Sequence, residues 1–528
     1  MEGAQFNPQT GAKTEAAWRT EQAQLNEKIS TYEAQIQNLQ AQLDWFKRQL
    51  FGQTSEKRPV ELNPDQRSLF EGLDTPPNRA GSEEKISISY ERGKARKERG
   101  DARTEQGLRF DESVPVETIE LSASELQGPE ADQYEVIDHK ISYRLAQRPG
   151  SYVILKYTRP VIKHKASQRV TTPPAPANVF DQSMADVSLL AGLLIDKFVY
   201  HCPLYRQHQK LQMAGITVSR ATLTQWVQRS IALLTPIYSS QLKNILQSKT
   251  LAMDETPIKA GRKHKGKMQT AYFWPMYGDD DEVAFPYAAS RGQQQILDQL
   301  KGFQGTLLTD GYVAYQRYAE NTAQVTHATC WVHARRTFVK AEPMEPSAVA
   351  EALDWIGKIY QIETRIRERN LGGDKKLKVR MEQSLPVVDS FFAWVYEQRQ
   401  RTDLINSNPF AKALKYVTER EHQLRVFLND PAVQPDTNHL ERALRVIPMG
   451  RKAWLFAWTE LGAEHIGIIQ SLLVTCRLHD INPYVYLVDV LQRISQHPAA
   501  KVAELTPRQW KQRFADHPLR SDLETIRQ

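Results

Sequence analysis

Apolar residues recur at Leu25, Ile29, Tyr32, Ile36, Leu39, Leu43, Phe46 and Leu50, in steps that alternate four and three. That is an a/d heptad seam. It predicts an N-terminal coiled-coil helix within 1–51, after an unstructured start and stopped by Gly52. A lone amphipathic helix packed on its own chain fits the same pattern. Over 52–115 apolar residues thin out and Pro, Gly, Ser and charges take over, which reads as a flexible basic linker. Over 116–176 short alternating runs on either side of Pro149-Gly150 predict a small β-rich domain, ending in the stiff connector Thr171-Thr172-Pro173-Pro174-Ala175-Pro176. Over 177–247 the period becomes helical. Gly215, then Ser219 as a helix cap, then an amphipathic stretch from Arg220 have the rhythm of a helix-turn-helix, a rhythm that many helical hairpins share.

From residue 248 the grammar changes again. Thr250-Leu251-Ala252-Met253 is an apolar run that ends in Asp254, and Gly305-Thr306-Leu307-Leu308-Thr309 is another that ends in Asp310. Between them lie two further apolar runs, 270–274 and 283–285, joined by the acidic Gly278-Asp279-Asp280-Asp281, which reads as a solvated hairpin tip. A helix over 293–300 follows. Beyond Asp310 come a strand over 324–328 and a helix over 331–341. Three antiparallel strands, a helix, a strand and a helix are the order of a ribonuclease-H-like fold, in which the first and fourth strands are neighbours. Asp254 and Asp310 would then point at one spot, and close carboxylates suit a hard divalent cation. A strand-end Asp taken singly is more often a turn residue or helix cap.

A third acid lies further on. After about 90 residues of helical pattern, with apolar stripes at Trp355, Ile356, Ile359 and Ile362 and at Phe391, Phe392, Trp394 and Val395, comes Asn438-His439-Leu440-Glu441-Arg442-Ala443-Leu444-Arg445. Helical spacing puts Asn438, Glu441, Arg442 and Arg445 on one face. That face reads either as a surface ion pair or as a metal ligand flanked by guanidinium groups for phosphates. The fold class is therefore multidomain α+β. It divides into the coiled coil (1–51), the linker (52–115), the β-rich domain (116–176), the helix-turn-helix-like region (177–247), a ribonuclease-H-like core in two parts (248–342 and 433–495), a helical insertion (343–432) and a tail (496–528).

Composition adds limits. A net charge of +7 permits nucleic-acid binding without proving it, and Arg92-Gly93-Lys94-Ala95-Arg96-Lys97 reads either as a solvated run or as an arm tracking phosphates. Three scattered cysteines, Cys202, Cys330 and Cys476, argue against a disulfide framework and fit a reducing compartment. No apolar run reaches membrane-span length, and the first residues lack the pattern of a secretion signal.

Met253-Asp254-Glu255-Thr256, Thr309-Asp310-Gly311-Tyr312, Cys330-Trp331-Val332-His333-Ala334-Arg335-Arg336 and the tail Asn438-x-x-Glu441-Arg442-Ala443-x-Arg445…Gly450-Arg451-Lys452-x-Trp454-Leu455-Phe456…Ser471-Leu472…Pro483-x-x-Tyr486-Leu487 together resemble the transposases of the bacterial insertion-sequence 66 family. The resemblance covers most of the chain. It implies a metal-binding triad of Asp254, Asp310 and Glu441 holding two Mg2+ or Mn2+ ions, and DNA as substrate. It places His333, in a Cys-x-x-His motif, beside the scissile phosphate or a displaced base. DNA contacts are expected from His333, Arg335, Arg336, Asn438, Arg442, Arg445, Arg451, Lys452, Arg220, Arg96 and Lys97. Zinc is not expected, because the cysteine pairs that family members carry near 116–170 are missing here. Ala453 and Trp458-Thr459 also depart from the family's usual residues, outside the triad.

The activity implied is cut-and-paste transposition. A water attacks the phosphodiester at the element's end, and the freed 3′-hydroxyl then attacks target DNA, with no covalent enzyme–DNA intermediate. Self-association through the coiled coil, two accessory proteins of the same element and a bacterial cytoplasmic, nucleoid-associated location go with it, and no membrane partner. The alternatives are a ribonuclease-H-like nuclease without strand transfer, and a retired transposase acting as a DNA-binding protein.

Overall fold

The computed structural model describes residues 102–103 and 108–525, apart from 149, 182, 265 and 266. The heptad seam with Leu39 and Leu43, Gly52, and the basic run with Arg96 and Lys97 lie outside the described residues. Within them the chain is mixed α+β. Strands β1 (Ala102–Arg103), β2 (Arg109–Phe110) and β3 (Val116–Glu120) open it. Leu108, Phe110 and Val114 are buried, so the end of the segment read as linker belongs to the core. Strands β4 (Tyr134–Arg148) and β5 (Ser151–His164) form one long antiparallel hairpin, closed by the pair Arg148 and Ser151. Gly150 takes the positive φ of 83° that so tight a reversal needs. Strand β3 adds to β5 in parallel, and β6 (Val170–Thr171) pairs with the other end of β5.

Three helices follow: α1 (Val187–Phe198), α2 (Leu204–Met213) and, after the short β7 (Ile216–Thr217), the 26-residue α3 (Arg220–Ile245). The Ser219 hydroxyl accepts from the Thr222 N–H at 3.0 Å, which caps α3 as its sequence predicts. Gly215, at φ 77°, makes the turn before it. The helix is much longer than a recognition helix, because its apolar stripe of Leu223, Val227, Leu234, Ile237 and Ile245 runs on into the core.

The central sheet begins with β8 (Thr250–Met253), four residues buried on both faces. Strands β9 (Thr256–His264) and β10 (Lys267–Phe273) form a hairpin, followed by β11 (Met276–Tyr277), β12 (Val283–Ala284) and β13 (Tyr287–Ala288). Pro275 separates the run read as a strand over 270–274 from a further strand that the pattern did not show: β10 pairs with β9 and β13, whereas β11 crosses into the central sheet. Next come α4 (Gln293–Gln299), β14 (Gly305–Thr309), α5 (Val313–Glu320), β15 (Val325–Thr329) and α6 (Trp331–Ala341). The five-stranded sheet has the order β12-β11-β8-β14-β15, with β8, β14 and β15 parallel and β11 antiparallel to its neighbours. The acidic turn is more than a solvated tip. The Asp279 carboxylate accepts from the N–H groups of Lys249, at 2.6 Å, and Thr250, at 3.2 Å, and so fixes the start of β8.

Helices α7 (Pro346–Glu368), α8 (Gly373–Val379), α9 (Leu385–Arg399), α10 (Pro409–Thr418) and α11 (Glu421–Asn429) pack around a core that they share with α6, β14 and β15 and that includes Ile356, Ile359, Phe391, Phe392 and Trp394. The apolar stripes seen in the sequence are thus the interior of this helical unit. The chain returns through α12 (Asn438–Leu444) and α13 (Val446–Trp454) to α14 (Glu460–Leu478), then α15 (Pro483–Arg493) and α16 (Pro507–Arg513). Helix α14 lies against the sheet, where the Ser471 hydroxyl accepts from the Phe285 N–H at 2.9 Å and Gln241 of α3 donates to Thr475 Oγ1 at 2.9 Å. Among the described residues no helix is long and apolar enough to cross a membrane.

Candidate active site

The site is set by strand register. Strands β8 and β14 run parallel with Ala252 beside Leu308, so two residues further on Asp254 and Asp310 leave the sheet side by side. Their neighbour Glu255 joins them: one carboxylate oxygen from each of Asp254, Glu255 and Asp310 lies within 4.8 Å of the others. Glu255 escapes the strand rule that sends adjacent side chains to opposite faces, because β8 ends at Met253 and the chain has left the pleat.

Each acid is held. The Glu255 N–H donates to Asp254 Oδ1 at 2.7 Å, and the Tyr312 N–H donates to Asp310 Oδ1 at 2.8 Å. Glu255 receives Tyr315 Oη at 2.8 Å and an ion pair from Arg291. Burial pushes the Asp254 carboxyl up to about 7, and the charges of Glu255, Asp310 and Glu441 push the same way. Burial, then Asp310, raises Glu255 as well. Carboxylates that repel one another in a half-buried site are the donor set a hard divalent cation would stabilise, so these residues fit Mg2+ or Mn2+.

Glu441 sits in the first turn of α12 and is brought in by a seam around Cys330. The Cys330 N–H bonds Thr309 O at 2.9 Å, its thiol accepts from Thr437 N and Oγ1, both at 3.4 Å, and the Trp331 N–H bonds Pro435 O at 2.9 Å. Burial raises the Cys330 thiol pKa, so it stays protonated as a structural tie. This pins the N-termini of α6 and α12 together and carries Glu441 to Arg336, whose Nη2 donates to both carboxylate oxygens, at 3.1 and 2.8 Å. Arg336 Nη1 also lies 3.2 Å from His333 Nε2. Burial and the Arg336 charge lower the His333 pKa, which favours neutral imidazole.

The single face expected for Asn438, Glu441, Arg442 and Arg445 is divided. Asn438 and Arg442 line a cavity of about 640 Å³ with Tyr277, Tyr360 and Asp436, while Glu441 turns to α6. Asn438 Nδ2 donates to Asp436 Oδ2 at 2.9 Å. Arg445 and Lys452 are exposed, Arg335 is half-buried, Arg220 is exposed at the start of α3, and the Arg451 guanidinium donates to Pro257 O. Sequence reasoning left out Glu255, Arg291 and Tyr315. The signal for Glu255 was a second acid directly after a strand-terminal Asp.

The model of the "Transposase IS66 family" matches residues 182–465, more than half of the chain, and the "IS66 C-terminal element" matches 471–508. The chain belongs to the IS66 transposase family. A third model, "Transposase C of IS166 homeodomain", matches 38–119, across the end of the heptad seam and the segment read as linker. The chain is similar to two proteins of Sinorhizobium fredii (strain NBRC 101917 / NGR234). "Uncharacterized protein y4hP" is 29% identical over 402 residues, 71% of each chain. "Uncharacterized protein y4jD" is 28% identical over 508 residues, 92% of this chain and 97% of the relative.

Proposed function

We propose that the protein is a DDE-type transposase that cuts the ends of an insertion sequence and joins them to target DNA. Asp254, Asp310 and Glu441 act as the metal-binding acids, with Mg2+ or Mn2+ as cofactor. The observation that carries this reading is the register of β8 on β14, which sets Asp254 beside Asp310 in a member of a transposase family. The strand order β12-β11-β8-β14-β15 supports a ribonuclease-H-like core over 248–342 and 433–495, with 343–432 as an insertion.

When bound, a divalent ion supplies positive charge to the attacking and departing oxygens of a phosphodiester. The chain's own residues do the rest. Asp254 and Asp310 orient the site from rigid strand ends. Tyr315 and Arg291 hold Glu255 against them. Neutral His333, beside Arg336, accepts or donates one hydrogen bond, and Arg336, half-exposed, offers guanidinium donors to a phosphate oxygen. Exposed Arg220, Arg445 and Lys452, together with the region matched by the homeodomain model, supply further DNA contacts. Self-association through the 1–51 seam holds two element ends together, and the double change Leu39→Glu, Leu43→Glu should then yield monomer in light scattering.

The test is cleavage of an element-end duplex in Mg2+. Asp254→Asn, Asp310→Asn and Glu441→Gln should each abolish cutting while leaving gel-shift binding of the same duplex intact. Substantial cutting by any one of them removes that residue from the triad. Strand transfer from pre-cut ends separates a transposase from a nuclease that only cuts.

A further inference from the structure

The β9–β10 hairpin is not used by the site just described, yet its chemistry is one-sided. Between Glu255 and Asp279 the sequence holds Lys259, Arg262, Lys263, Lys265 and Lys267 and no acid. The two flanking acids are engaged elsewhere, Glu255 with Arg291 and Asp279 with backbone N–H groups. Strand β9 starts with regular alternation: Thr256, Ile258 and Ala260 are buried, Pro257 and Lys259 exposed. Gly261 breaks it. Its φ of 69° is the left-handed conformation of a bulge, and the register of β9 on β10 shifts there. Beyond the bulge Arg262, Lys263 and His264 are all exposed, as is Lys267 on the returning strand.

An aromatic surface lies beside these cations. The segment after α13 is laid along the edge of β9: the Ala457 N–H bonds Lys259 O at 2.8 Å and the Gly261 N–H bonds Ala457 O at 3.2 Å. Leu455 enters this segment at φ 63°, a strained conformation for a residue with a side chain. The result is that Trp458 stands 65% exposed, braced edge-on by Phe456 at 5.0 Å, with the Arg262 guanidinium 5.8 Å from its ring. Glu460 lies beside Gly261, and among the described residues it forms no ion pair with Lys259, Arg262, Lys263 or Lys267.

We propose that the β9–β10 hairpin and Trp458 form a DNA-contact surface apart from the carboxylate cluster, which takes the phosphate backbone of duplex DNA on Lys259, Arg262, Lys263 and Lys267 and a sugar or base edge on the indole. The inference rests on the reading of this protein as a DNA transposase. Exposed cations that form no ion pair among the described residues match a polyphosphate, and an exposed indole flanked by a guanidinium suits a stacked base. The hairpin leaves the site at Thr256, two residues from Asp254. At about 3.3 Å per residue its tip lies up to roughly 26 Å away. It therefore meets DNA no more than about seven or eight base pairs from the reacting phosphate, taking about 3.4 Å per base pair.

The test is salt-dependent binding of the full chain to a labelled duplex carrying an element end, with footprinting of the same complex. The change Lys259→Gln, Arg262→Gln, Lys263→Gln, Lys267→Gln should lower the slope of log K against log salt by about 3 to 4, near 0.9 per lost contact. It should also remove protection within about eight base pairs of the cut. Trp458→Ala should weaken binding at unchanged slope, and Trp458→Phe should restore most of it. Wild-type Mn2+ binding in the quadruple variant reports an intact cluster, and the single tip change Lys263→Gln, with a slope lower by about 1, serves if the quadruple variant does not fold. Unchanged slope and footprint overturn this surface while leaving the transposase reading standing. Failure of the wild-type protein to bind duplex DNA overturns both.

Discussion

Both carboxylate oxygens of Glu441 accept from Arg336 Nη2, at 3.1 and 2.8 Å, across 105 residues of sequence. Glu441 is thus held beside the Asp254–Glu255–Asp310 cluster by a cation that DNA phosphates also attract. Arg336→Gln removes one positive charge beside the cluster. At several ångströms and surface-like screening this is worth roughly 1 kcal/mol, or about fivefold in affinity for a cation. Mn2+ titration of DNA-free protein, read by electron paramagnetic resonance, should show tighter binding in the variant, while binding to element-end DNA weakens. An unchanged Mn2+ affinity would place the pair outside the ion's field.

The raised Asp254 carboxyl makes the metal's effect depend on pH. Its pKa is about 7 in the folded chain against an ordinary 3.8. The folded state therefore penalises the charged form. That penalty is absent below about pH 4, grows between pH 4 and 7, and is full above pH 7. A cation that binds the charged form relieves it and must displace the proton below pH 7. Mg2+ or Mn2+ at a hundred times its Kd should stabilise by about 2.7 kcal/mol. The rise in melting temperature should be clear at pH 8 and small at pH 5.5. Asp254→Asn should melt higher than wild type without metal at pH 8 and gain little from it. An equal metal effect at both pH values would mean that the ion binds elsewhere.

Much of this centre was legible because its parts are local. The helix expected over 293–300 is found at Gln293–Gln299, and the strands ending at Asp254 and Asp310 fall where short apolar runs meet a carboxylate. What could not be read was whatever depends on chain direction after a break. Pro275 sends β11 into a different sheet from β10, so the acidic turn became the clamp on β8 instead of a free tip. Glu255 was passed over because alternation puts neighbours on opposite faces, and alternation had already ended at Met253. The arginines flanking Glu441 in sequence do not pair with it; its partner comes from α6 through the Cys330–Thr437 seam.

A substitution far from the cluster checks how the sheet is closed. Gly467 of α14 lies where a Cβ would meet Phe285 O at 2.3 Å and the Phe273 ring at 3.2 Å. The atom met is backbone, and Phe285 is itself tied to α14 through its N–H on Ser471, one turn further along the helix. Gly467→Ala gains helix propensity of about 1 kcal/mol but forces α14 off the sheet, an overpacking cost of 1–3 kcal/mol or about that. Net destabilisation should appear in urea unfolding. A variant as stable as wild type would show that α14 has room to shift.

The helical unit between Ala341 and Asn438 holds a buried ion pair whose loss should be felt at the site. Arg380 and Glu363 meet at 2.8 and 2.9 Å, and their side chains are 0% and 6% exposed. Arg380 Nη1 also donates to the carbonyls of Phe427, at 2.6 Å, and of Asp430 and Val433, both at 3.0 Å. One guanidinium thus ties the end of α11 to the segment that leads into Pro435, Thr437 and Glu441. Arg380→Ala strands the Glu363 carboxylate and three carbonyls. Breaking such a pair by removing one partner costs about 3–5 kcal/mol. Arg380→Met with Glu363→Leu leaves no buried charge, so it should recover most of that stability. The carbonyls of the connecting segment would still lack their donor. In the double variant the Cys330 thiol, normally shielded by Thr437, should react faster with a thiol reagent although the protein is folded. A double variant as slow to react as wild type would mean that the Cys330 seam alone positions α12.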